Sequence, residues 1–89
     1  MWDRDENNRR ANLAKHGVDF ALVSMFDWGT AIVEPDKRRD YGEVRLGATG
    51  QIGHRLYLLV YSKRAGMVRV ISLRKANKRE QHEWNKFEK

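Results

Sequence analysis

The stretch Met67–Glu80, MVRVISLRKANKRE, decides the fold. It opens with a β-branched run over residues 68–71, which predicts a strand. It continues into a helix, because Asn77 followed three residues later by Glu80 is typical of a capping box. Five cations lie within this stretch: Arg69, Arg74, Lys75, Lys78 and Arg79. Cations and free backbone N–H groups at a helix start favour a polyanionic ligand, although an ordinary strand-to-helix junction with solvated charges has the same pattern.

The composition indicates one small domain over residues 1–89. Hydrophobic residues make up 40% of the chain, enough for one modest core, and the 34% of charged residues are mixed in sign. No apolar run approaches the ~20 residues of a membrane span, and the polar N-terminus lacks the apolar stretch of a secretory signal. The absence of cysteine excludes disulfides and thiolate metal sites. These features predict a cytoplasmic protein that does not enter the membrane.

The net charge of +6 is unevenly distributed along the chain. Residues 1–50 hold eight Lys/Arg and nine Asp/Glu, a balance of −1. Residues 51–89 hold ten Lys/Arg and three Asp/Glu, a balance of +7. A one-sided positive field favours nucleic acid or an acidic partner protein.

The N-terminal third predicts two helices. Asp3 fits an N-cap, so a first helix is predicted from Arg4 to Lys15 or His16, and Gly17 supplies the left-handed conformation that ends it.

Asp19 is a second predicted N-cap, followed by a short helix over Phe20–Phe26. Three residues of this helix recur at helical spacing and are expected in the core: Leu22, Met25 and Phe26.

The remainder predicts a sheet and one closing helix. The expected strands are Thr30–Val33 (stopped by Pro35), Tyr41–Ala48, Arg55–Ser62 and Met67–Leu73, with turns at Thr49–His54 and Lys63–Gly66. The last helix runs from Asn77 to about Phe87, and Trp84 and Phe87 dock it on the sheet. Short links between sequential strands imply antiparallel pairing. The predicted class is α+β, with a small antiparallel sheet of three or four strands, two N-terminal helices and one C-terminal helix.

Strand alternation assigns residues to the two faces of this sheet. The predicted apolar face holds Val44, Leu46, Ala48, Leu56, Leu58, Val60, Val68 and Val70. The opposite face holds Glu43, Arg45, Arg55, Tyr57, Leu59, Tyr61, Arg69, Ile71 and Leu73. Arginine beside tyrosine suits RNA, because the guanidinium binds phosphate and the ring stacks on bases. A half-solvated face with ion pairs from Glu43 to arginine is the alternative.

Common catalytic signatures are missing from the sequence: it has no Walker loop, no HExxH and no dinucleotide-binding glycine motif. The three histidines, His16, His54 and His82, lack metal-ligand spacing. Neither a metal nor another cofactor is therefore expected, and a reaction on phosphate would depend on Arg and Lys for charge stabilisation.

Three separated segments resemble the BrnT family of toxins. Residues 12–20, NLAKHGVDF, are similar to its N-x-x-K-H-G-[VI]-x-F signature. Glu43-Val-Arg45 is similar to its E-x-R, and residues 68–76, VRVISLRKA, resemble its R-I-I-S-A-R-K-A segment, followed by Arg79-Glu80. Trp2-Asp3 also fits, whereas the family's usual lead-in is trimmed and Leu73 replaces a common alanine.

The resemblance implies a RelE/ParE-like fold and a ribonuclease toxin of a type II toxin–antitoxin system that inhibits translation. It implies RNA as substrate and a DNA-binding antitoxin of the BrnA kind as partner, expected in a 2:2 complex. Cleavage of the RelE kind is metal-independent: the 2′-OH attacks the adjacent phosphate and leaves a 2′,3′-cyclic phosphate.

We predict roles in such a cleavage for residues of these segments and of the sheet face that carries arginine and tyrosine. Arg45, Arg69, Arg74 and Arg79 are the expected phosphate-binding cations. Glu80 or Glu43 is the expected base, with the alternative that Glu80 serves only the capping box. Lys15, His16 or Tyr61 is the expected acid, and Tyr57, Tyr61, Lys75 and Lys78 are the expected RNA contacts. Two other classes stay open: a nucleic-acid-binding module without turnover, and a ParE-like toxin that acts on a protein such as gyrase.

Overall fold

The computed structural model describes residues 2–37 and 44–87. Its elements in chain order are β1 (Trp2–Arg4), α1 (Glu6–His16), a 3₁₀ helix (Phe20–Met25), β2 (Asp27–Pro35), β3 (Arg45–Ile52), β4 (Arg55–Arg64), β5 (Met67–Lys75) and α2 (Lys78–Phe87). Within these residues the strands form one sheet of order β1-β5-β4-β3-β2. β1 is parallel to β5 and the other pairs are antiparallel. The α+β class is confirmed, but the sheet is mixed and has five strands rather than three or four.

The N-terminal residues form a strand where a helix start was predicted. Trp2–Arg4 pairs with the edge of β5, and α1 begins at Glu6. Asp5, not Asp3, is the N-cap, because its carboxylate accepts hydrogen bonds from the backbone of Asn7 and Asn8. The two aspartates give the same local signal, and only the distant β5 edge decides between them. Gly17 ends α1 with φ +69°, as predicted.

The second helix is a 3₁₀ helix capped by Asp19, whose side chain accepts from the Ala21 N–H at 3.0 Å. Its three-residue repeat buries Phe20 and Val23, which were not among the residues expected in the core. The prediction that Met25 lies in the core is wrong, since 63% of its surface is exposed. Leu22 packs partly against the core, and Phe26 is buried, as predicted.

Each of the long strands extends beyond its predicted bounds. β2 begins at Asp27 because a register shift before Ile32 absorbs the predicted break, and it includes Pro35, two residues beyond its predicted end at Val33. β3 continues to Ile52, so the turn before β4 shrinks to Gly53 and His54. β4 and β5 are each two residues longer than predicted. The expected strand residues 41–43, and Glu43 with its predicted role as base, lie outside the described residues.

The predicted assignment of the two sheet faces is correct in part: Leu46, Ala48, Val68 and Val70 share the core face as expected. The assignment is wrong for β4 and for Leu73. Ala48 pairs with Leu59, and Leu59 pairs with Leu73, so these three residues share a face. That face packs on the 3₁₀ helix and forms the core: Phe20, Val23, Phe26, Ala48, Ile52, Tyr57, Leu59, Tyr61, Val70 and Leu73. Leu58 and Val60 therefore point to the opposite face. Alternation alone cannot supply the register, and a shift between Val60 and Tyr61 further breaks the simple pattern along β5.

Candidate RNA-binding trough

The sheet face opposite the core carries a trough between α1 and α2. Leu58 and Val60 line both of its adjoining cavities, and so does Arg74. The larger cavity, about 460 Å³, lies towards β2 and α2. The smaller, about 260 Å³, lies against α1. We call this surface the trough, and Arg74 is the charged residue common to its two halves.

Arg74 is held by a two-point ion pair with Glu80. Its Nη1 and Nη2 donate to the two carboxylate oxygens of Glu80, each at 2.8 Å. The side chains are 26% and 16% exposed, so the pair is well shielded from solvent on the Glu80 side. Parallel guanidinium–carboxylate bonds of this kind fix orientation as well as distance. Arg74 is therefore a preorganised cation at the base of α2.

Glu80 also completes the predicted capping box. Its carboxylate accepts from the Asn77 N–H at 2.9 Å, and its own N–H donates to the Asn77 side chain at 2.8 Å. Burial raises the pKa of Glu80, but the hydrogen bonds from Arg74 and Asn77 and the charges of Arg74 and Arg79 outweigh it and lower the pKa overall. An ionised carboxylate bound on both oxygens is a weak proton acceptor. The geometry therefore favours the structural alternative for Glu80.

Lys15 and His16 lie in the last turn of α1 and line the smaller cavity with Arg74. Burial lowers the pKa of His16, and the positive charges of Lys15 and Arg74 lower it further. The imidazole is therefore neutral near pH 7 and can accept a proton. The sequence placed these residues more than fifty positions from Arg74, and the packing of α1 on β5 brings them to one cavity.

Arg79 lines the larger cavity together with four further residues of α2: Glu80, Glu83, Trp84 and Phe87. Trp84 anchors the helix by donating its Nε1–H to the Thr30 carbonyl at 2.9 Å. Phe87 was predicted to dock α2 with Trp84, but it is 68% exposed at the edge of this cavity. Sequence reasoning missed Glu83, although residues 80, 83, 84 and 87 follow helical spacing and that periodicity was available.

The remaining predicted cations lie around the trough. Arg45 of β3 and Arg69 of β5 lie opposite Ser62 of β4 in the strand register. Ser62 lies at one end of the face that carries Leu58 and Val60. Because Ser62 is four residues from Leu58, this end lies about 13 Å from the Arg74 position. Arg69 Nε is 3.5 Å from Asp3 Oδ1 on β1. Two lysines of the predicted RNA contacts are exposed beside the base of α2: Lys75 and Lys78. The four arginines thus share one face in two groups.

The two predicted tyrosine contacts belong to the other face. Tyr57 and Tyr61 are 9% and 3% exposed within the core. The Tyr61 ring lies edge-on to Trp28 at 5.4 Å, and burial raises the pKa of Tyr61. Neither ring is positioned to stack on a base, and Tyr61 is not positioned to donate a proton in the trough. The cause is the register described above, which turns odd-numbered β4 residues inward.

Metal sites and membrane-spanning helices are both absent from the described residues. No group of three or more His, Asp or Glu side chains there could hold a metal ion. Over the same residues, neither helix has the length and apolar character needed to cross a bilayer.

Comparison with known proteins identifies a matching family and a similar solved structure. The family described as ribonuclease toxin, BrnT, of type II toxin–antitoxin systems matches residues 2–80. The crystal structure of the Brucella abortus ribonuclease toxin BrnT is similar, with 32% sequence identity and a TM-score of 0.68, covering 86% of this chain and 96% of that one. No curated protein matches the chain. The matched range includes Lys15, His16, Arg74, Arg79 and Glu80.

Proposed function

The chain belongs to the BrnT family of ribonuclease toxins of type II toxin–antitoxin systems, and we propose that it cleaves RNA in the trough without a metal ion. The observation that carries this proposal is the meeting of Lys15, His16 and Arg74 in one cavity, with Arg79 in the adjoining one. A neutral imidazole beside fixed cations suits proton transfer next to a phosphate.

The proposed reaction is an in-line transesterification. His16 removes the proton of the ribose 2′-OH, and the 2′-oxygen forms a bond to the adjacent phosphorus. The bond from phosphorus to the 5′-oxygen breaks, and Lys15 donates a proton to that oxygen. The products are a 2′,3′-cyclic phosphate and a 5′-hydroxyl. His16 thus takes the role of base that the sequence had assigned to Glu80 or Glu43, because its imidazole is neutral and lines the cavity.

Arg74 and Arg79 stabilise the negative charge that develops on the phosphorane oxygens. Glu80 keeps Arg74 in place. It does not act as a proton acceptor in the reaction, since both of its oxygens already accept hydrogen bonds. Arg45 and Arg69, at the far end of the face, contact phosphates of neighbouring nucleotides, as do Lys75 and Lys78. These outer cations add affinity that depends on salt, because each phosphate contact releases counterions.

Membership of the family supports a proposal for the partner and the cellular role. We propose a DNA-binding antitoxin of the BrnA kind in a 2:2 complex, inhibition of translation by RNA cleavage, and action in the cytoplasm. The exposed Phe87 gives such a partner an apolar contact at the edge of the larger cavity of the trough. Occupation of this surface would prevent RNA from reaching Arg79.

The test is incubation of the purified protein with total RNA in EDTA. Discrete cuts that end in a cyclic phosphate support the proposal, and they should be lost in His16→Gln and strongly reduced in Arg79→Ala. Arg10→Ala is the matched control, because it removes an exposed cation from the outer surface of α1. Retarded but intact RNA would instead indicate a binding module. Intact RNA together with inhibited DNA supercoiling would indicate a gyrase-directed toxin.

A further inference from the structure

The outer edge of β5 loses its strand partner before the strand ends. Among the described residues, β1 pairs with β5 at Val68, Arg69 and Val70 and no further along. Leu73 lies three residues further along and is fully buried. Its N–H and C=O therefore need another partner, since an unsatisfied buried backbone group costs roughly 1–3 kcal/mol.

The side chain of Asn12 supplies that partner. Its Oδ1 accepts from the Leu73 N–H at 3.0 Å, and its Nδ2 donates to the Leu73 carbonyl at 2.7 Å. The same Nδ2 donates its other hydrogen to the Val18 carbonyl at 2.9 Å. Asn12 is only 5% exposed. A carboxamide has the same donor and acceptor as a peptide group, so Asn12 continues the hydrogen-bonded edge where β1 has stopped.

This contact lies between the two sets of proposed catalytic residues. Lys15 and His16 follow Asn12 by three and four positions, so they lie on the same side of α1. Arg74 follows Leu73 directly in β5. Asn12 lines the smaller cavity with all three of these residues. The hydrogen bonds between Asn12 and Leu73 therefore position the C-terminal end of α1 relative to Arg74.

We propose that Asn12 is a positioning residue that holds Lys15 and His16 against Arg74 through its paired hydrogen bonds to Leu73. This inference rests on the proposed function, because positioning has meaning only if these residues act together on RNA. Asn12 touches neither phosphate nor ribose in this scheme. Its contribution is the geometry of the cavity, where a misplacement of ~1 Å can cost on the order of 10²-fold in rate.

The experiment compares Asn12→Ala and Asn12→Ser with Val23→Ala. Alanine removes the whole contact, whereas serine keeps one hydroxyl for a buried hydrogen bond but is too short to reach both groups of Leu73. Val23→Ala is the control for lost stability, because Val23 is buried on the other face of the sheet and lines neither cavity. All are studied well below their unfolding temperatures.

Two readouts are used, and only one needs RNA. The first is the NMR titration of His16, assigned with His16→Gln. Lys15 and Arg74 are the charged groups that lower the pKa of His16. The described residues that line the smaller cavity include no carboxylate. Loss of Asn12 should expose the His16 ring and move it away from Arg74. The pH midpoint of the His16 titration should then rise towards the ordinary value of a histidine, whereas Val23→Ala should leave this midpoint unchanged. The second is RNA cleavage, where kcat should fall on the order of 10²-fold and KM should change less.

The outcomes separate the two proposals. A folded Asn12→Ala or Asn12→Ser with the parent's His16 midpoint and the parent's kcat overturns the positioning role. A shifted midpoint in the Asn12 variants alone supports it. If the parent itself does not cleave RNA, the proposed function fails, and the titration still decides whether Asn12 sets the position of His16.

Discussion

Arg74 and Glu80 join strand β5 to helix α2 through two parallel hydrogen bonds of 2.8 Å. Glu80 simultaneously accepts from the backbone N–H of Asn77 at the start of the helix. One carboxylate therefore fixes both the helix N-terminus and the central cation of the trough. A role in holding Arg74 can be distinguished from a role as general base by how far the cleavage rate falls when the charge of Glu80 is removed.

Glu80→Gln should reduce cleavage less than about 10-fold, whereas loss of a general base costs roughly 10²–10⁴-fold. Glutamine keeps an acceptor for the Asn77 N–H but weakens the pairing with Arg74, so the main consequence is a less rigid cation. The measurement is kcat with a fixed RNA substrate across pH 5 to 9. Glu6→Gln is the control, because it removes an exposed carboxylate of α1 that lines neither cavity. A loss above 10²-fold together with a vanished acid limb would identify Glu80 as the base.

The pH profile should report His16. Burial and the charges of Lys15 and Arg74 lower its pKa from the ordinary 6.5, so kcat/KM should rise with pH through a midpoint below that value. Lys15→Gln removes one cation that disfavours imidazolium, and the midpoint should therefore move up. The absolute rate should also fall, since Lys15 is the proposed acid.

Arg10→Gln provides the comparison for this shift. It removes an exposed cation from the same helix without touching the cavity, so the midpoint should stay at the parent value. An identical acid limb in the parent and in both variants would show that His16 is not the group that titrates.

Local sequence signals predicted helix caps and the uneven distribution of charge. Contacts between residues far apart in the sequence determined the strand pairing and the Asn12–Leu73 contact. Gly17 and the Asn77–Glu80 capping box were predictable because each depends on residues within one helical turn. Choosing Asp5 over Asp3 as N-cap was not, since it depends on pairing between Trp2–Arg4 and β5. The same limit applies to the Asn12–Leu73 contact, which spans 61 positions.

The candidate site can be proposed from the sequence in residue type, whereas the placement of its residues depends on the fold. Arg74, Arg79, Lys15 and His16 were proposed from the sequence for a cleavage of the RelE kind, and the fold brings them to adjoining cavities. The tyrosines were assigned to the wrong face, because a one-residue change in register inverts every side chain of a strand. Pairing of Ala48 with Leu59, which no local pattern reveals, determines that register.

Tyr61→Phe should leave RNA cleavage unchanged, because the ring is buried in the core and the hydroxyl lies away from the trough. Tyr61→Ala should lower the free energy of unfolding by about 3–5 kcal/mol, the usual cost of removing a buried aromatic ring. Urea denaturation and cleavage of the same RNA measure the two effects. Lost cleavage in a Tyr61→Phe protein of parental stability would restore the tyrosine to the site and contradict the observed face.

Trp84→Phe should loosen α2 without unfolding the sheet. None of the residues Lys78–Phe87, all of them described, is fully buried, so the bond from Trp84 to the Thr30 carbonyl is a major anchor of the helix. Losing it should cost about 1 kcal/mol. Because α2 carries Arg79, KM for RNA should rise and amide exchange in α2 should accelerate, while exchange in β3 and β4 stays slow.

Trp28→Phe is the matched control for Trp84. Its ring lies edge-on to Phe26 at 5.0 Å and packs on the core face instead of on α2. The same chemical change there should leave exchange in α2 and KM at the parent values. Equal acceleration of α2 exchange in both variants would show that general destabilisation, and not the Trp84–Thr30 bond, controls the helix. Unchanged exchange in Trp84→Phe would show that the ion pair between Arg74 and Glu80 is sufficient to hold α2 over the trough.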